Sequence, residues 1–456
     1  MNEEATIAAI SSAVGNGGIS VIRVSGSQAF EIVDRIFKGK QKVKEAASHT
    51  ILYGKIVDGE RMVDEVLVLV MHAPRTYTCE DVVEIDCHGG VLVTRKILEL
   101  LIKAGARTAK PGEFTKRAFM NGRIDLSRAE AVMDLIRARS DYALEGSVRQ
   151  LKGNIFESIV EIRTGMIEDV ARIEAALDDP EHLSVDGFLD EFQEKVDGYL
   201  KKLQKMERNA DRGRMLREGI NTVILGKPNV GKSSLLNLLL GEERAIVTDI
   251  AGTTRDTLEE SINLDGILLN LVDTAGIRKT EDVVEKIGVE RSSESAKKAD
   301  FILYVVDASK PLSEEDFEIL ELIREKKGLI LMNKSDLPLK VSKSDMEKYS
   351  NKPILELSAK KGTGISRLRE AIEELFYDGQ INFNEEIYLS NMRQKEAVSR
   401  AVEALLLVKD GLEQGMPEDF LTIDMMSAYE CLGEVIGESL RDDLADTIFE
   451  KFCMGK

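Results

Sequence analysis

The spacing of apolar residues changes along this chain, and the changes predict its architecture. Over residues 1 to about 118, the runs Ile19 to Val24, Glu65 to Met71 and Val82 to Ile85 carry a strand signature. In the same region Gln28 to Phe37 and Val91 to Ala104 repeat apolar residues every three or four positions, as helices do. From Gly122 to Gly213 strand signals disappear. Ala, Leu, Ile and Met recur there at helical spacing among many charges, with Pro180 the one proline. Residues 219 to about 377 alternate strand-like and helix-like segments in the manner of a parallel α/β sheet, and helix returns from Ser390 through Phe452. The expected division is 1–118, 119–215, 216–378 and 379–456. Neither helical segment need fold alone, so the economical reading is one helical domain split by an inserted α/β domain.

A length of 456 residues fits about three domains. The longest apolar runs, such as Ala401 to Val408 with its internal Glu403, fall short of a membrane span. The start Met1-Asn2-Glu3-Glu4 lacks the basic flank of a secretory signal, so a cytoplasmic location with no membrane contact is expected. Cys79, Cys87, Cys431 and Cys453 are too scattered for a disulfide framework or a zinc site and are expected to be reduced thiols. The formal charge of −19 argues against nucleic-acid binding by bulk attraction, so any RNA contact must use local patches. The richest stretch, Lys201 to Arg217, reads as a solvated helix face before it reads as an RNA patch, and Lys38 to Lys44 as a surface loop.

Candidate chemistry concentrates between residues 226 and 360. Gly226-Lys227-Pro228-Asn229-Val230-Gly231-Lys232-Ser233, followed by Ser234, joins the apolar run Ile220 to Leu225 to the helical run Leu235 to Leu240. This is a phosphate-binding loop: its glycines let backbone N–H groups point inward, Lys232 adds positive charge near the terminal phosphates, and the Ser233 hydroxyl can ligate Mg²⁺. Asp273-Thr274-Ala275-Gly276, Asn333-Lys334-Ser335-Asp336 and Ser358-Ala359-Lys360 each end a further strand-like run. Together they specify GTP, because the Asp336 carboxylate can accept from both N1–H and the 2-amino group of guanine. Adenine has neither donor there, and Asn333 would bond the other edge of the base.

Many GTPases place a water-orienting glutamine just after the glycine of the Asp-x-x-Gly motif, but here Ile277 stands at that position. The water must therefore be oriented from elsewhere, and Glu281, Asp282 and Glu285 offer carboxylates downstream. Arg255 and Arg278 lie in the switch regions. Asn229 inside the phosphate loop can help bind a monovalent cation beside the phosphates, or merely stabilise a turn.

The stretch Thr248-Asp249-Ile250-Ala251-Gly252-Thr253-Thr254-Arg255-Asp256, taken with Asn229, resembles the cation-activated branch of translation-factor-like GTPases. Adding Pro111 to Phe119, Gly122 to Leu126 and the terminal Cys453-Met454-Gly455-Lys456, the whole chain resembles the tRNA modification GTPase family MnmE, also called TrmE. The resemblance implies a multidomain α/β plus all-α fold: an N-terminal α/β folate-binding-like domain, a split helical domain and an inserted Ras-like P-loop GTPase domain. It implies that Glu285 orients water, that Ser233 and Thr254 hold Mg²⁺, and that Asn229, Thr248, Ile250 and Thr253 hold K⁺. A tetrahydrofolate derivative, 5-formyl- or methylene-, would meet Arg23, Glu84, Arg123 and Lys456. Arg123 stands where some members carry lysine, which changes the donor geometry. Cys453 could be a nucleophile or a buried thiol. The family forms homodimers and works with a flavin-dependent MnmG or GidA-type protein, in a heterotetramer, on the wobble uridine of certain tRNAs. A regulatory GTPase of ribosome assembly would share every nucleotide motif, but it usually carries a recognisable RNA-binding module or a second phosphate loop, and this sequence shows neither.

Overall fold

The computed structural model describes residues 5–178, 188–242, 260–272, 297, 299–377, 387–438 and 442–455. These residues form two compact units. One is drawn from Met1–Met133, Gln150–Arg172 and Met425–Lys456, the other from Asp134–Arg149 and Ile173–Asp424.

The first unit is built on a seven-stranded sheet. Its strands are β1 (Ile7–Ile10), β2 (Ile19–Ser25), β3 (Phe37–Gly39), β4 (Thr50–Asp58), β5 (Arg61–Met71), β6 (Val82–His88) and β7 (Arg107–Thr108), in the spatial order β3-β4-β5-β6-β2-β1-β7. Helices α1 (Ala29–Ile36) and α2 (Val91–Lys103) supply Ile32, Val33, Ile97 and Leu101 to a core shared with Ile22, Val24, Val68, Val70 and Ile85. Strand alternation then decides where the polar residues go. Ile22 and Val24 are buried, so Arg23 faces the other side. Val83 and Ile85 are buried, so Glu84 does too, and the antiparallel register sets Arg23 opposite Glu84. β1 and β4 had no counterpart in the sequence pattern. β1 is only four residues, two of them alanine, and β4 exposes Ile51 and Tyr53 while burying Gly54, which blurs its alternation.

Helix α3 (Glu113–Met120) follows β7, and then come α4 (Leu126–Arg137), α5 (Asp141–Lys152), α6 (Asn154–Asp178) and α7 (Phe188–Glu218). In the first unit Leu126, Ala129 and Met133 pack with Ala445, Phe449 and Phe452, which brings the chain end back.

The second unit holds a six-stranded sheet of β8 (Ile220–Leu225), β9 (Glu260–Leu264), β10 (Ile267–Leu271), β11 (Phe301–Asp307), β12 (Gly328–Asn333) and β13 (Ile354–Glu356), in the order β13-β12-β11-β8-β10-β9. Every pairing is parallel except β9 with β10. Helices α8 (Lys232–Glu242), α9 (Glu314–Leu322), α10 (Lys343–Met346) and α11 (Ile365–Tyr377) alternate with the strands, and apolar cores lie on both faces of the sheet. From β8 the chain passes to one side through β9 and β10, then to the other through β11, β12 and β13. The loop after β8 thus opens at the topological switch point, at the carboxyl edge where doubly wound sheets bind ligands.

α12 (Met392–Glu413), α13 (Glu418–Ile436) and α14 (Asp442–Phe449) complete the described chain. α12 lies antiparallel to α7, joined by Lys395 to Asp211 at 2.9 Å, Ser399 to Glu207 at 2.6 Å and Lys409 to Asp197 at 2.7 Å. A Cβ on Gly213 of α7 would stand 2.3 Å from the Leu389 carbonyl oxygen, so the chain enters and leaves the sheet side by side. Within Lys201 to Arg217, Arg214 is bound to Asp300 and Arg217 to Asp134, so these two arginines are held in ion pairs rather than forming the solvated face expected from the sequence.

Candidate functional site

The loop after β8 is wound tightly, with Asn229 at φ 61° and Gly231 at φ 103°. A side chain on Gly231 would be strained by that φ and would set its Cβ 2.2 Å from Asn333 Nδ2, so only glycine permits the approach. Lys232 opens α8 and folds back, its Nζ donating to the Gly226 carbonyl at 2.6 Å and the Lys227 carbonyl at 2.7 Å. Burial pushes the Lys232 ammonium below its ordinary value. A cation so withdrawn from water gains most when a phosphate arrives. Ser233 and Ser234 follow in the first turn of α8.

The segments expected to recognise the base converge on this loop from the ends of neighbouring strands. Asn333, 2% exposed at the end of β12, donates through Nδ2 to the Val230 carbonyl at 2.8 Å and accepts at Oδ1 from Ala359 N–H at 3.0 Å. One hydrogen of its amide remains for a base edge. Lys334, at φ 64°, donates to the Asn229 carbonyl at 2.9 Å and to Asp307 Oδ2 at 2.6 Å. Burial pushes the Asp307 carboxyl up, but the bonds from Lys334 and Ser309 outweigh it and hold the group below its ordinary value. Ser358 donates to Asp336 Oδ1 at 2.6 Å, which orients that carboxylate and holds its pKa down. Ser358 also bridges to Thr363, closing the turn that carries Ala359 and Lys360.

Asn229, Val230, Gly231, Lys232, Asn333, Lys334, Asp336, Ser358 and Ala359 therefore form one cluster. Thr248, Asp249, Ile250, Ala251, Gly252, Thr253, Thr254, Asp273, Thr274, Ala275, Gly276 and Glu285, expected to complete it, lie outside the described residues, as do Ile277, Arg255 and Arg278. Asp307 escaped the sequence reading. Its position at the end of a fully buried strand was the available signal.

A second cluster lies in the first unit. Arg23 Nε donates to Glu84 Oε1 at 2.7 Å, and Nη1 donates to the Gly455 carbonyl at 3.2 Å. Ser11 donates to the same carbonyl at 3.0 Å. Gly455 has φ 81°, and a Cβ there would fall 2.3 Å from the Ile10 carbonyl oxygen. The Arg23 guanidinium lies 5.7 Å from the centre of the Tyr77 ring and 5.6 Å from that of Phe114. Arg123 sits 5.1 Å from the Tyr77 ring and donates to the Tyr77 carbonyl at 2.9 Å. Tyr77 in turn bonds Thr115 at 2.9 Å. Arg23 and Arg123 thus both face the Tyr77 ring, with Glu84 held by Arg23, while Lys456 lies outside the described residues. Half-buried Cys453 offers its carbonyl to Gly112 N–H at 3.2 Å, which docks the chain end at the start of α3. Arg117, 8% exposed, bonds both oxygens of Glu80 at 3.0 Å and Glu113 at 3.1 Å, so the Pro111 to Phe119 stretch is fixed by a buried charge network.

Comparison with known proteins agrees across the whole length. A family model described as GTP-binding protein TrmE N-terminus matches residues 6–123, and one described as MnmE helical domain matches residues 126–453. Over 454 residues the chain is 56% identical to the tRNA modification GTPase MnmE of Lachnoclostridium phytofermentans, covering 99% of each chain. It is 48% identical over 454 residues to the protein of the same name from Clostridioides difficile, again covering 99% of each. For that of Bacillus subtilis the identity is 46% over 457 residues, covering 99% of this chain and 100% of the other.

Proposed function

The chain belongs to the MnmE family of tRNA modification GTPases, and from that premise we propose a K⁺-activated GTP hydrolase that serves wobble-uridine modification. It acts with a flavin-dependent MnmG-type protein to place an aminomethyl-type, carboxymethylaminomethyl, group at C5 of the wobble uridine of certain tRNAs. One carbon comes from a tetrahydrofolate derivative.

The observation that carries the nucleotide half is the junction of the base-recognition segment with the phosphate loop, Asn333 to Val230 and Lys334 to Asn229. Asp336 accepts the guanine N1–H and 2-amino group while Lys232 trades its loop carbonyls for phosphate oxygens. Hard oxygen donors suit both expected cations: Mg²⁺ on the Ser233 and Thr254 hydroxyls, and K⁺ on oxygens of Asn229, Thr248, Ile250 and Thr253, would neutralise phosphate charge. Glu285 orients the attacking water. In the first unit Glu84 accepts the pterin N–H pair, and Arg23, Arg123 and Lys456 meet anionic groups of the folate.

We assign these activities to an N-terminal domain over 1–118, a helical domain split between 119–215 and 379–456, and a GTPase domain over 216–378, in a cytoplasmic homodimer. Mass analysis of tRNA from cells lacking the chain tests the whole reading: the modified wobble uridine is lost, and its persistence would overturn the proposal. GTP turnover is expected to be faster in KCl than in NaCl or CsCl. Glu285→Ala should lower single-turnover hydrolysis by about 10²-fold with GTP affinity nearly intact.

A further inference from the structure

A buried carboxylate reaches the phosphate loop from outside the guanine-recognition network. Asp316, 1% exposed, occupies the third position of α9 and closes a capping box with Ser313, whose backbone N–H donates to Asp316 Oδ2 at 2.8 Å. Capping requires only those two residues. Yet Oδ2 also takes Lys227 Nζ at 2.5 Å, from the second residue of the phosphate loop, and Oδ1 takes the hydroxyl of Tyr304 at 2.9 Å. Tyr304 is fully buried on β11. Lys227 Nζ bonds Ser313 Oγ as well, at 2.9 Å. The backbone of Lys227 faces the other way, because its carbonyl and that of Gly226 receive Lys232 Nζ. One residue is therefore gripped by its side chain at α9 and grips the phosphate lysine by its main chain.

We propose that Lys227 is a positioning residue for phosphate binding: its ion pair with Asp316, braced by Tyr304, fixes the carbonyl platform from which Lys232 is delivered to the β- and γ-phosphates. The inference rests on the GTP-binding reading and deepens it. Removing one partner of a desolvated charge pair leaves the other uncompensated, so the loop would shift to let that charge find water. The loss must then fall on contacts to the outer phosphates, while contacts of Asp336 with the base stay as they were.

The test compares Kd values for GTP, GDP and GMP by titration calorimetry on the full chain and on Lys227→Met, Lys227→Arg, Asp316→Asn and the Lys227→Met/Asp316→Asn double variant. The expected result is about tenfold weaker GTP and GDP binding for Lys227→Met, with GMP affected less than about threefold, and recovery in Lys227→Arg. The double variant should lose no more than the weaker single variant, because both remove one interaction. Equal losses for all three nucleotides, together with a lowered melting temperature, would assign the pair a purely structural role and overturn the proposal. Unchanged affinities in every variant would overturn it too. If the parent chain itself bound no guanine nucleotide, the GTP-binding reading would fail first, and the two failures are told apart by that single titration.

Discussion

The two clusters of this molecule are built in opposite ways. Around the phosphate loop most contacts are made by main-chain groups: carbonyls of Gly226, Lys227, Asn229 and Val230, and the N–H of Ala359. Around Arg23 the contacts are made by side chains from residues far apart in sequence, with the Gly455 carbonyl as the main-chain contribution beside that of Tyr77. A main-chain site depends on local conformation, which short glycine-containing motifs encode. A side-chain site depends on register across strands, which no short motif encodes.

The sharpest way to break this contrast is at the side chain on which the main-chain site relies. Asp336→Asn should shift the preference between GTP and XTP by about 10³-fold, since the amide loses the paired acceptor for N1–H and the 2-amino group. Competition binding measures it, and an unchanged preference would remove Asn333 to Asp336 from base recognition. In the other cluster, Glu84→Gln keeps the shape and removes the charge facing Arg23. Binding of 5-formyl-tetrahydrofolate should weaken by about 10²-fold in calorimetry, with GTP hydrolysis unaffected. Parent-like folate binding would mean that the Arg23 cluster is only a structural clasp.

The smallest expected effect concerns acid stability. Burial pushes the Glu113 carboxyl up, but Arg107, the Lys110 N–H and Arg117 outweigh it and hold the group below its ordinary value of 4.5. A carboxylate with a depressed folded-state pKa contributes stability that is present above its unfolded value and is lost as pH falls through the folded one. Melting temperature should therefore drop as pH falls below the ordinary carboxylate range, and Glu113→Gln should flatten that dependence by ~3 °C. Parallel acid profiles for the two proteins would show that the Arg107–Glu113–Arg117 network contributes nothing net.

Legibility followed the same contrast. The phosphate loop and the segments expected to recognise the base could be read from contiguous sequence because each follows directly on its own strand. Arg23, Glu84 and Arg123 were reachable only through family resemblance: on their own they are outward-facing polar residues on strands or loops. Tyr77 was missed, and Phe114 and Gly455, though part of the motifs that carry the resemblance, had no contact assigned, since an aromatic ring and a glycine reveal their role only once the chain end is folded back over β1 and β2. β4 was missed because exposed Ile51 and Tyr53 break the polar-out rule on which strand detection depends. The Lys201 to Arg217 run showed its charge plainly, but the partners Asp134 and Asp300 lie far off in sequence.

Gly213 and Leu389 touch, so the segment between them, which carries all of β8 to β13, begins and ends at one place. For the folding chain this turns a long loop into a short one. An unfolded insert would charge the pairing of α7 with α12 the entropy of closing that loop, a cost that grows only logarithmically with length but must be met before any helix contact forms. An insert that has already folded holds its own ends together and removes the cost. Loop-closure entropy therefore favours guest before host: with the sheet already folded, the seam of Asp211, Glu207 and Asp197 against Lys395, Ser399 and Lys409 is closed at the lowest entropic cost from the end nearest the sheet.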